Sequence, residues 1–380
     1  MLKSTKSVVL GLVCATALSG GAMAGGFNRG TADTDILFED GNFNIHAAAA
    51  YVNPTRTYTA TGPALGGLVP ANSNVGTDYA DSYVIPSFAM SLKVTEELRC
   101  AATMTDAFGA SATTTIPTGA TGKVHEAFTV NEKGLTCGYF MPVSKGRIAF
   151  IGGIFQETFD YELSVLGGGL AVDLNSEEIG YRVGLAYEIP EIALRAQVMY
   201  RSGQRHDATG TTTRLANTGT AYDALPLNAA MPIASGYGYL PQMVDAKFQT
   251  GIAPGWLAFG SVRWTNWSVN EQLFLNPGGG YSTNDYFWKD GWTYTAGIGH
   301  AFNDQISGAA FVSYDSSVGT GYDLSARTIS VGGAVTAKGE FGELSFGGAV
   351  SFLGSASDVD GNAVGDDTAF AISANYKVRW

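Results

Sequence analysis

The sequence has 380 residues, of which 15% are charged and 45% hydrophobic, with 50 glycines and a formal net charge of −12. Glycine is about twice its usual ~7% share and charge falls well below the usual ~25%, which excludes a charged, aromatic-poor disordered chain. The acidity argues against nucleic-acid binding, which needs a basic surface, and beyond the first 25 residues no apolar run reaches the ~18 residues of a membrane-spanning helix.

In chain order, Lys3 and Lys6 precede an apolar stretch over residues 8–18, and Ala22-Met23-Ala24 places small residues where a signal peptidase reads. This predicts a secretory signal peptide over residues 1–24, because the apolar core is too short for an anchor. Its loss takes the net charge to about −14. Residues 25–42 follow, with Phe27 and an acidic run containing Asp33, Asp35, Glu39 and Asp40.

From Phe43 onward the pattern has period two, not 3.6. Near the end of the sequence Phe370, Ile372, Ala374, Tyr376, Val378 and Trp380 alternate with Ala371, Ser373, Asn375, Lys377 and Arg379. Arg195, Gln197 and Arg201 alternate with Leu194, Ala196, Val198 and Tyr200 in the same way. Strands are expected to start near Phe43, Asp81, Leu98, Val124, Arg147, Ser176, Glu191, Leu240, Trp256, Trp288, Ile306, Asp323, Phe341 and Asp367.

Local alternation fits either a soluble sheet or a transmembrane barrel, but connection lengths separate them. Short turns around residues 95–97, 144–146, 190–191, 253–255, 303–304 and 338–340 alternate with expected loops over 62–79, 108–123, 166–175, 205–240, 276–287, 316–322 and 355–366. Outer-membrane barrels alternate short periplasmic turns with long outer loops and have an even number of strands. The reading is an all-β, transmembrane antiparallel β-barrel of about 14 strands over residues 43–380, in the bacterial outer membrane. Trp264, Trp267, Trp288, Trp292 and Trp380 are expected to form its interfacial aromatic girdle. The terminal aromatic Trp380 fits the strand signal read by the barrel-assembly machinery.

Little in the sequence points to catalysis. His46, His125, His206 and His300 are scattered without metal-ligand spacing, and neither a nucleophile elbow nor a phosphate loop is present. No enzyme activity, cofactor or metal is expected. Asp358, Asp360 and Asn362 resemble the start of a calcium loop, but Ala363 and Ala369 stand where such a loop needs Gly and Glu, so a solvated loop is expected. Cys100 and Cys137 lie about equally far from residue 118, in the middle of the intervening loop. A symmetric antiparallel register brings them together into a disulfide; a shifted one leaves them apart.

Several stretches together resemble the FadL/TodX (OmpP1) family of outer-membrane transporters for long-chain fatty acids and aromatic hydrocarbons. They are Leu240-Pro241-Gln242-Met243, Gly255-Trp256, Arg263-Trp264-Thr265-Asn266-Trp267-Ser268, Trp288-Lys289-Asp290-Gly291-Trp292 and Tyr314-Asp315-Ser316-Ser317. The resemblance implies a fourteen-stranded barrel with a short N-terminal plug in its lumen, here residues 25–42. It also implies a kinked third strand near Asp106-Ala107-Phe108-Gly109, and it places Phe27, Lys289 and Asp315 near the ligand path.

The alternation puts Arg182, Glu188, Arg195, Arg201, Asp245, Lys247, Arg263 and Lys289 on the lumen face, with Leu257, Phe259 and Phe311 as apolar neighbours. Candidate ligand-binding residues are therefore Phe27, Arg195, Arg201, Lys247, Phe259, Arg263, Lys289, Phe311 and Asp315. Such cations suit a carboxylate headgroup. The same cations equally suit pairing with Asp33, Asp35, Glu39 and Asp40.

The expected function is passive, ligand-gated uptake of hydrophobic molecules, foremost long-chain fatty acids. The alternatives are a general diffusion porin for small polar solutes and a surface adhesin or phage receptor. Expected partners are the hydrophobic ligand, outer-membrane lipid and lipopolysaccharide, and the assembly machinery. No nucleic-acid partner is expected, and the protein is read as a monomer.

Overall fold

The structure is a computed structural model and describes residues 26–380; the expected signal peptide lies outside the described residues. Fourteen staves form one closed antiparallel barrel. They are β1 (Phe43–Pro54), β2 (Tyr83–Lys93), β3 (Leu98–Thr118), β4 (Lys123–Val143), β5 (Gly146–Val165), β6 (Leu170–Ile189) and β7 (Leu194–Arg201 and Gln204–Arg214). Then come β8 (Ala230–Leu240 and Met243–Ala253), β9 (Trp256–Thr265 and Gln272–Asn276), β10 (Ser282–Asp285 and Gly291–Ala301), β11 (Ile306–Asp315), β12 (Thr328–Gly339), β13 (Gly342–Leu353) and β14 (Asp367–Arg379). Closure is made by β1 against β14, in register from Asn44↔Arg379 to Pro54↔Ala369. A closed barrel satisfies every ladder hydrogen bond within itself, which lipid requires.

Two of the expected loops are strand. The β3–β4 ladder runs up to Thr118↔Lys123, and the β5–β6 ladder to Val165↔Leu170. These staves have 20 or 21 residues, about twice the 9–11 that cross a bilayer. The reason is a reversal of alternation partway along the strand. On β6 the outward Ile179, Tyr181, Val183 and Leu185 are apolar, whereas the outward Asp173, Asn175 and Glu177 are polar, with Val172 and Leu174 buried inside. On β5, Phe150 and Ile154 face out, and higher up Asp160 and Glu162 do so while Tyr161 and Leu163 are buried. The lower half is apolar outside because lipid is there. The upper half stands in water and keeps its apolar residues within.

The expected 205–240 loop likewise shrinks to residues 215–229, with strand on both sides, and β12 starts at Thr328 rather than Asp323. Above the barrel, Tyr58–Ala60, Ala356–Ser357 and Ala363–Val364 form a small separate sheet. Buried Arg56 ties the outer loops together, donating to the carbonyls of Gly354 (2.9 Å), Leu324 (3.1 Å) and Gly365 (3.3 Å).

The breaks in β7, β8, β9 and β10 lie on four adjacent staves, and the two widest turn tryptophans inward. Trp267 follows β9's first segment and Trp288 precedes β10's second; both are buried in the lumen rather than placed in the interfacial girdle. Trp292 and Trp380 do stand exposed on the outside. Asp290 fastens the break, accepting hydrogen bonds from Trp264 Nε1 (2.9 Å), Asn266 Nδ2 (3.0 Å) and Ser268 Oγ (2.6 Å).

Two glycines explain part of the glycine excess. On the inner face Phe259, Gly297, Phe311 and Gly332 lie opposite one another across β9 to β12. A Cβ on Gly297 would stand 2.3 Å from the Phe259 ring, and one on Gly332 would stand 2.5 Å from that of Phe311. Each ring lies over a neighbouring glycine and cannot do so over any larger residue.

Cys100 and Cys137 are a directly opposed β3–β4 pair, 4.0 Å apart at Cα, and the structure joins them in a disulfide. β3 bulges between Asp106 and Phe108, where the resemblance implied a kink. Above the bulge β3 leaves β2, whose ladder with it covers only Ser87↔Thr105 to Lys93↔Arg99.

The alternation reversal makes a direct prediction. Val183→Arg, on the lipid face, should cost about 2–4 kcal/mol in folding into vesicles. Glu177→Arg, six residues higher on the same face, should cost less than about 0.5 kcal/mol, as a solvated surface change does. Guanidinium unfolding from lipid vesicles measures both.

Candidate functional site: a sealed lumen and an aromatic chamber

Residues 26–42 fill the lower lumen. Backbone hydrogen bonds attach them to the free edge of β3: Arg29 N–H donates to Ala107 O (2.9 Å), Gly30 N–H to Asp106 O (2.7 Å), and Gly109 N–H to Phe27 O (3.0 Å). They therefore occupy the place that β2 vacates. Arg29 lies over the Tyr83 ring at 4.3 Å, on the other side of the gap. Gly30 is required there, because a Cβ would meet Thr105 Oγ1 at 2.3 Å and Asp106 O at 2.9 Å.

A short 3-10 helix, Thr34–Phe38, then buries Ile36, Leu37 and Phe38 among Ala89, Ala101, Ala149 and Ala186, with Phe140 and Ile151. The small wall residues leave the volume that the helix fills. Each fully buried Ile or Leu contributes about 1.5–3 kcal/mol.

The acidic run pairs with the basic wall. Asp35 lies 3.3 Å from Arg195 and 3.1 Å from Lys247. Glu39 lies 3.0 Å from Lys377, and His46 stands between Asp33 (2.6 Å from Nδ1) and Glu39 (3.0 Å from Nε2). Burial pushes the Asp35 carboxyl up, but Lys247 and Arg195 outweigh it and hold the group well below the usual carboxylate range. Burial likewise opposes ionisation of Glu39, and His46 and Lys377 outweigh it, lowering its pKa to about 2.

Higher in the lumen Arg201 pairs with Glu132 (2.8 Å) and with Glu157, and Arg182 pairs with Glu132. These four groups are buried, and both arginines stack on the Phe155 ring. Beside them a small cavity of about 50 Å³ touches Gly30, Ala107, Arg201, Lys247 and Arg263.

Above the N-terminal segment lies a chamber of about 590 Å³. Its floor is Phe27, packed edge-on against Trp267 (5.7 Å between centroids) and tilted against Trp288 (4.9 Å). Phe128, Phe159, Tyr161, Leu174, Tyr237 and Leu275 line its sides, and Tyr58, Tyr79, Asp323 and Asp358 belong to the outer loops that cover it. Trp288 Nε1 donates to Asp323 Oδ2 (2.7 Å), so a covering loop is tied to the floor. Asp358 instead caps its own loop, accepting from Asn362 N–H and Nδ2, both at 2.8 Å. Among the described residues no His, Cys, Asp and Glu group has a metal-holding arrangement.

The sequence-derived candidates separate into groups. Phe27 lines the chamber. Arg201, Lys247 and Arg263 line the small cavity, each already paired with a carboxylate, Arg263 with Asp245 at 2.7 Å. Arg195 is spent on Asp35 and the Phe38 ring. Phe259 and Phe311 face inward but lie over Gly297 and Gly332 rather than against either cavity. Asp315 is buried against the Thr293 hydroxyl. Lys289 is exposed and borders neither cavity.

The aromatic walls from β4 and β5 and the paired tryptophans were missed. The signal was present in the alternation of Phe128, Phe159 and Tyr161 with Thr129, Asp160 and Glu162, within stretches read partly as membrane wall.

These features define an outer-membrane β-barrel whose lumen holds its own N-terminal segment beneath an apolar chamber. The family described as outer membrane protein transport protein (OMPP1/FadL/TodX) matches residues 170–331. The fold is similar over 95% of this chain to the crystal structure of a Pseudomonas aeruginosa FadL homologue, covering 97% of that chain at TM-score 0.74 and 16% identity. The toluene transporter TodX of P. putida aligns over 91% of this chain and 92% of its own, at TM-score 0.62 and 12% identity. The Ralstonia pickettii toluene transporter TbuX aligns over 90% of each chain, at TM-score 0.60 and 13% identity. No curated protein matches the sequence significantly. The chain thus has the fold of the FadL- and TodX-type barrels of the bacterial outer membrane, with the family's sequence pattern over residues 170–331.

Two predictions follow from the ion pairs. Asp35→Asn leaves Arg195 and Lys247 without their buried carboxylate and should cost about 3–5 kcal/mol of stability, measured by guanidinium unfolding. Asp35 and Glu39 have lowered pKa values in the fold, so the stability Glu39 contributes is complete above its unfolded value near 4.5 and is lost as pH falls through about 2, and that of Asp35 is lost in the same direction. Protease accessibility of residues 26–42 should stay unchanged from pH 7 to pH 5 and rise on further acidification.

Proposed function

We propose that the protein takes up hydrophobic molecules through the chamber, and that its preferred cargo is uncharged. The carrying observation is the charge of the lining. Lys123 is the one Lys or Arg among the described lining residues, and it pairs with Glu126 at 2.5 Å. The remaining full charges there are Asp285, Asp323, Asp358 and Asp360. A carboxylate entering this chamber loses hydration and meets like charge. An aromatic or aliphatic molecule meets rings and leucines, at about 25 cal/mol per Å² of apolar surface removed from water.

Cargo entering past the outer loops rests on Phe27, Trp267 and Trp288. Displacement of Phe27 and the backbone bonded to β3 opens the β2–β3 gap, which leads sideways into the bilayer. No chemical energy source is required, since the direction is set by the gradient and by removal of the cargo. Long-chain fatty acids are the second reading; Lys247 and Arg263 beside the small lower cavity favour it. A diffusion porin needs an open lumen, which the packed helix Thr34–Phe38 opposes.

Reconstitution in planar bilayers with parallel binding of labelled toluene and labelled palmitate tests the reading. Toluene should bind, palmitate should bind more weakly, and ion conductance should be low. Deleting residues 26–38 should raise conductance about tenfold or more, toward that of water-filled barrels. Trp267→Ala should weaken toluene binding roughly tenfold, the loss of a well-placed aromatic contact together with its buried area. High conductance of the intact protein without ligand binding overturns uptake in favour of the porin. Preference for palmitate overturns the uncharged cargo alone.

A further inference from the structure

The chamber and the lower lumen match their charges differently. Below Phe27 the carboxylates Asp35, Glu39, Glu132, Glu157 and Asp245 each have a Lys or Arg within ion-pair distance. Among the described residues that line the chamber, five carboxylates face one Lys and no Arg. That Lys123 is matched by Glu126 alone. Asp285 accepts from Gln272 Nε2 (2.8 Å), and Asp358 from Asn362. Asp323 accepts from Trp288 Nε1 (2.7 Å), Ser325 Oγ (2.7 Å) and Ser325 N–H (3.1 Å). All of these donors are uncharged, so the bonds hold the carboxylates in place and leave their charge standing.

Two of the five carboxylates are joined to the aromatic lining itself. Trp288 donates its indole N–H to Asp323, and Tyr161 donates its hydroxyl to Glu126 at 2.8 Å. Tyr286 stacks on Trp288, with 4.4 Å between centroids; burial, and after it Glu126 and Asp323, push its hydroxyl pKa up. A ring whose N–H or O–H is bonded to an anion is polarised and gains electron density on its face. Trp and Tyr faces attract cations through the ring quadrupole, more strongly where water is excluded. A concave space with one sign of charge on low-dielectric walls also concentrates ions of the opposite sign. One alkylammonium already stands in this lining. Glu126, with Asp360 and Asp358 behind it, raises the pKa of Lys123 and keeps it charged against the cost of desolvation.

We propose that the chamber takes apolar ammonium ions, aryl- or alkyl-substituted, as a second class of cargo beside uncharged molecules. The cationic head lies against the Tyr161, Tyr286 and Trp288 rings, on the side that carries Glu126 and Asp323. The apolar remainder lies on Phe128, Phe159 and Leu174, within a space of about 590 Å³. The rings and the unmatched carboxylates replace the water that the head gives up, which a chamber lined by hydrocarbon alone does not do. An anion of the same size is turned away by the same charges. This inference rests on the uptake reading and adds a charge selectivity to it.

Calorimetric binding to the purified protein in an uncharged detergent at pH 7 compares benzyltrimethylammonium, phenylmethanesulfonate and toluene. The two ions are permanently charged and of similar size, so protonation plays no part. Benzyltrimethylammonium should bind at least about tenfold more tightly than phenylmethanesulfonate. Asp323→Asn, which keeps an acceptor for Trp288 Nε1, should weaken benzyltrimethylammonium about fivefold or more and toluene less than about twofold. Glu126→Gln removes a carboxylate and leaves the Lys123 ammonium unmatched. It should act in the same direction, and it supplies the comparison if Asp323→Asn loosens the covering loop. Equal or reversed affinities for the two ions overturn the ammonium site, as does a cation affinity that neither variant lowers more than that for toluene. Uptake of uncharged cargo survives both of those results. A wild type that binds none of the three overturns the uptake reading itself.

Discussion

Polypeptide inside a barrel lumen must be given a partner for every group it brings there. The N-terminal segment brings three carboxylates, Asp33, Asp35 and Glu39, into a largely buried space, and the wall answers with His46, Arg195, Lys247 and Lys377. Removing either side leaves buried, uncompensated charge, so segment and wall are stable only together. Much of the remaining architecture serves this docking. Alanines on β2, β3, β5 and β6 make room for Ile36 and Leu37, and β3 turns away from β2 so that its edge can bond to residues 27–30.

The same docking divides the lumen into chemically different spaces. Below Phe27 the interior is ionic, with Glu132, Glu157, Arg182 and Arg201 matched in a buried network. Above it the interior is aromatic, and the exterior of the same staves is hydrophilic. In the proposed uptake path apolar cargo is held at the height where the barrel has already left the membrane, and the bulge in β3 lies beside the segment that floors the chamber. In that path Phe27 links binding to release, since its carbonyl accepts from Gly109 while its ring forms the floor.

The sequence reading was strongest where one physical cause acted along a whole segment. Lipid on one side and a lumen on the other force period two, so the barrel, its stave number and its closing strand were legible. It failed where the cause changed along a single strand. The upper halves of β5 and β6 keep period two but exchange which face is apolar, and Thr, Asp and Asn outside then read as loop. Trp267 and Trp288 failed for a related reason: a tryptophan near a strand end belongs to the membrane interface or to the lumen according to a chain break that alternation does not reveal. For the candidate site, lumen orientation of Arg195, Arg201, Lys247 and Arg263 was readable from parity. Their engagement with carboxylates on other staves and in the N-terminal segment was not, because those partners lie from 18 to 212 residues away.

Composition and alternation by themselves determined an acidic all-β chain with an apolar outer band, an even number of strands and, beyond the first 25 residues, no apolar run long enough to span a membrane as a helix. Glycine in excess, ordinary hydrophobicity and little charge already imply two distinct faces, because a strand exposes each alternate residue to a different medium. Tertiary structure alone decided which medium each face meets at each height, since that depends on where the bilayer ends along a tilted stave. It also decided which cations are already satisfied and where a closed space remains, because both are set by approaches between residues far apart in the chain.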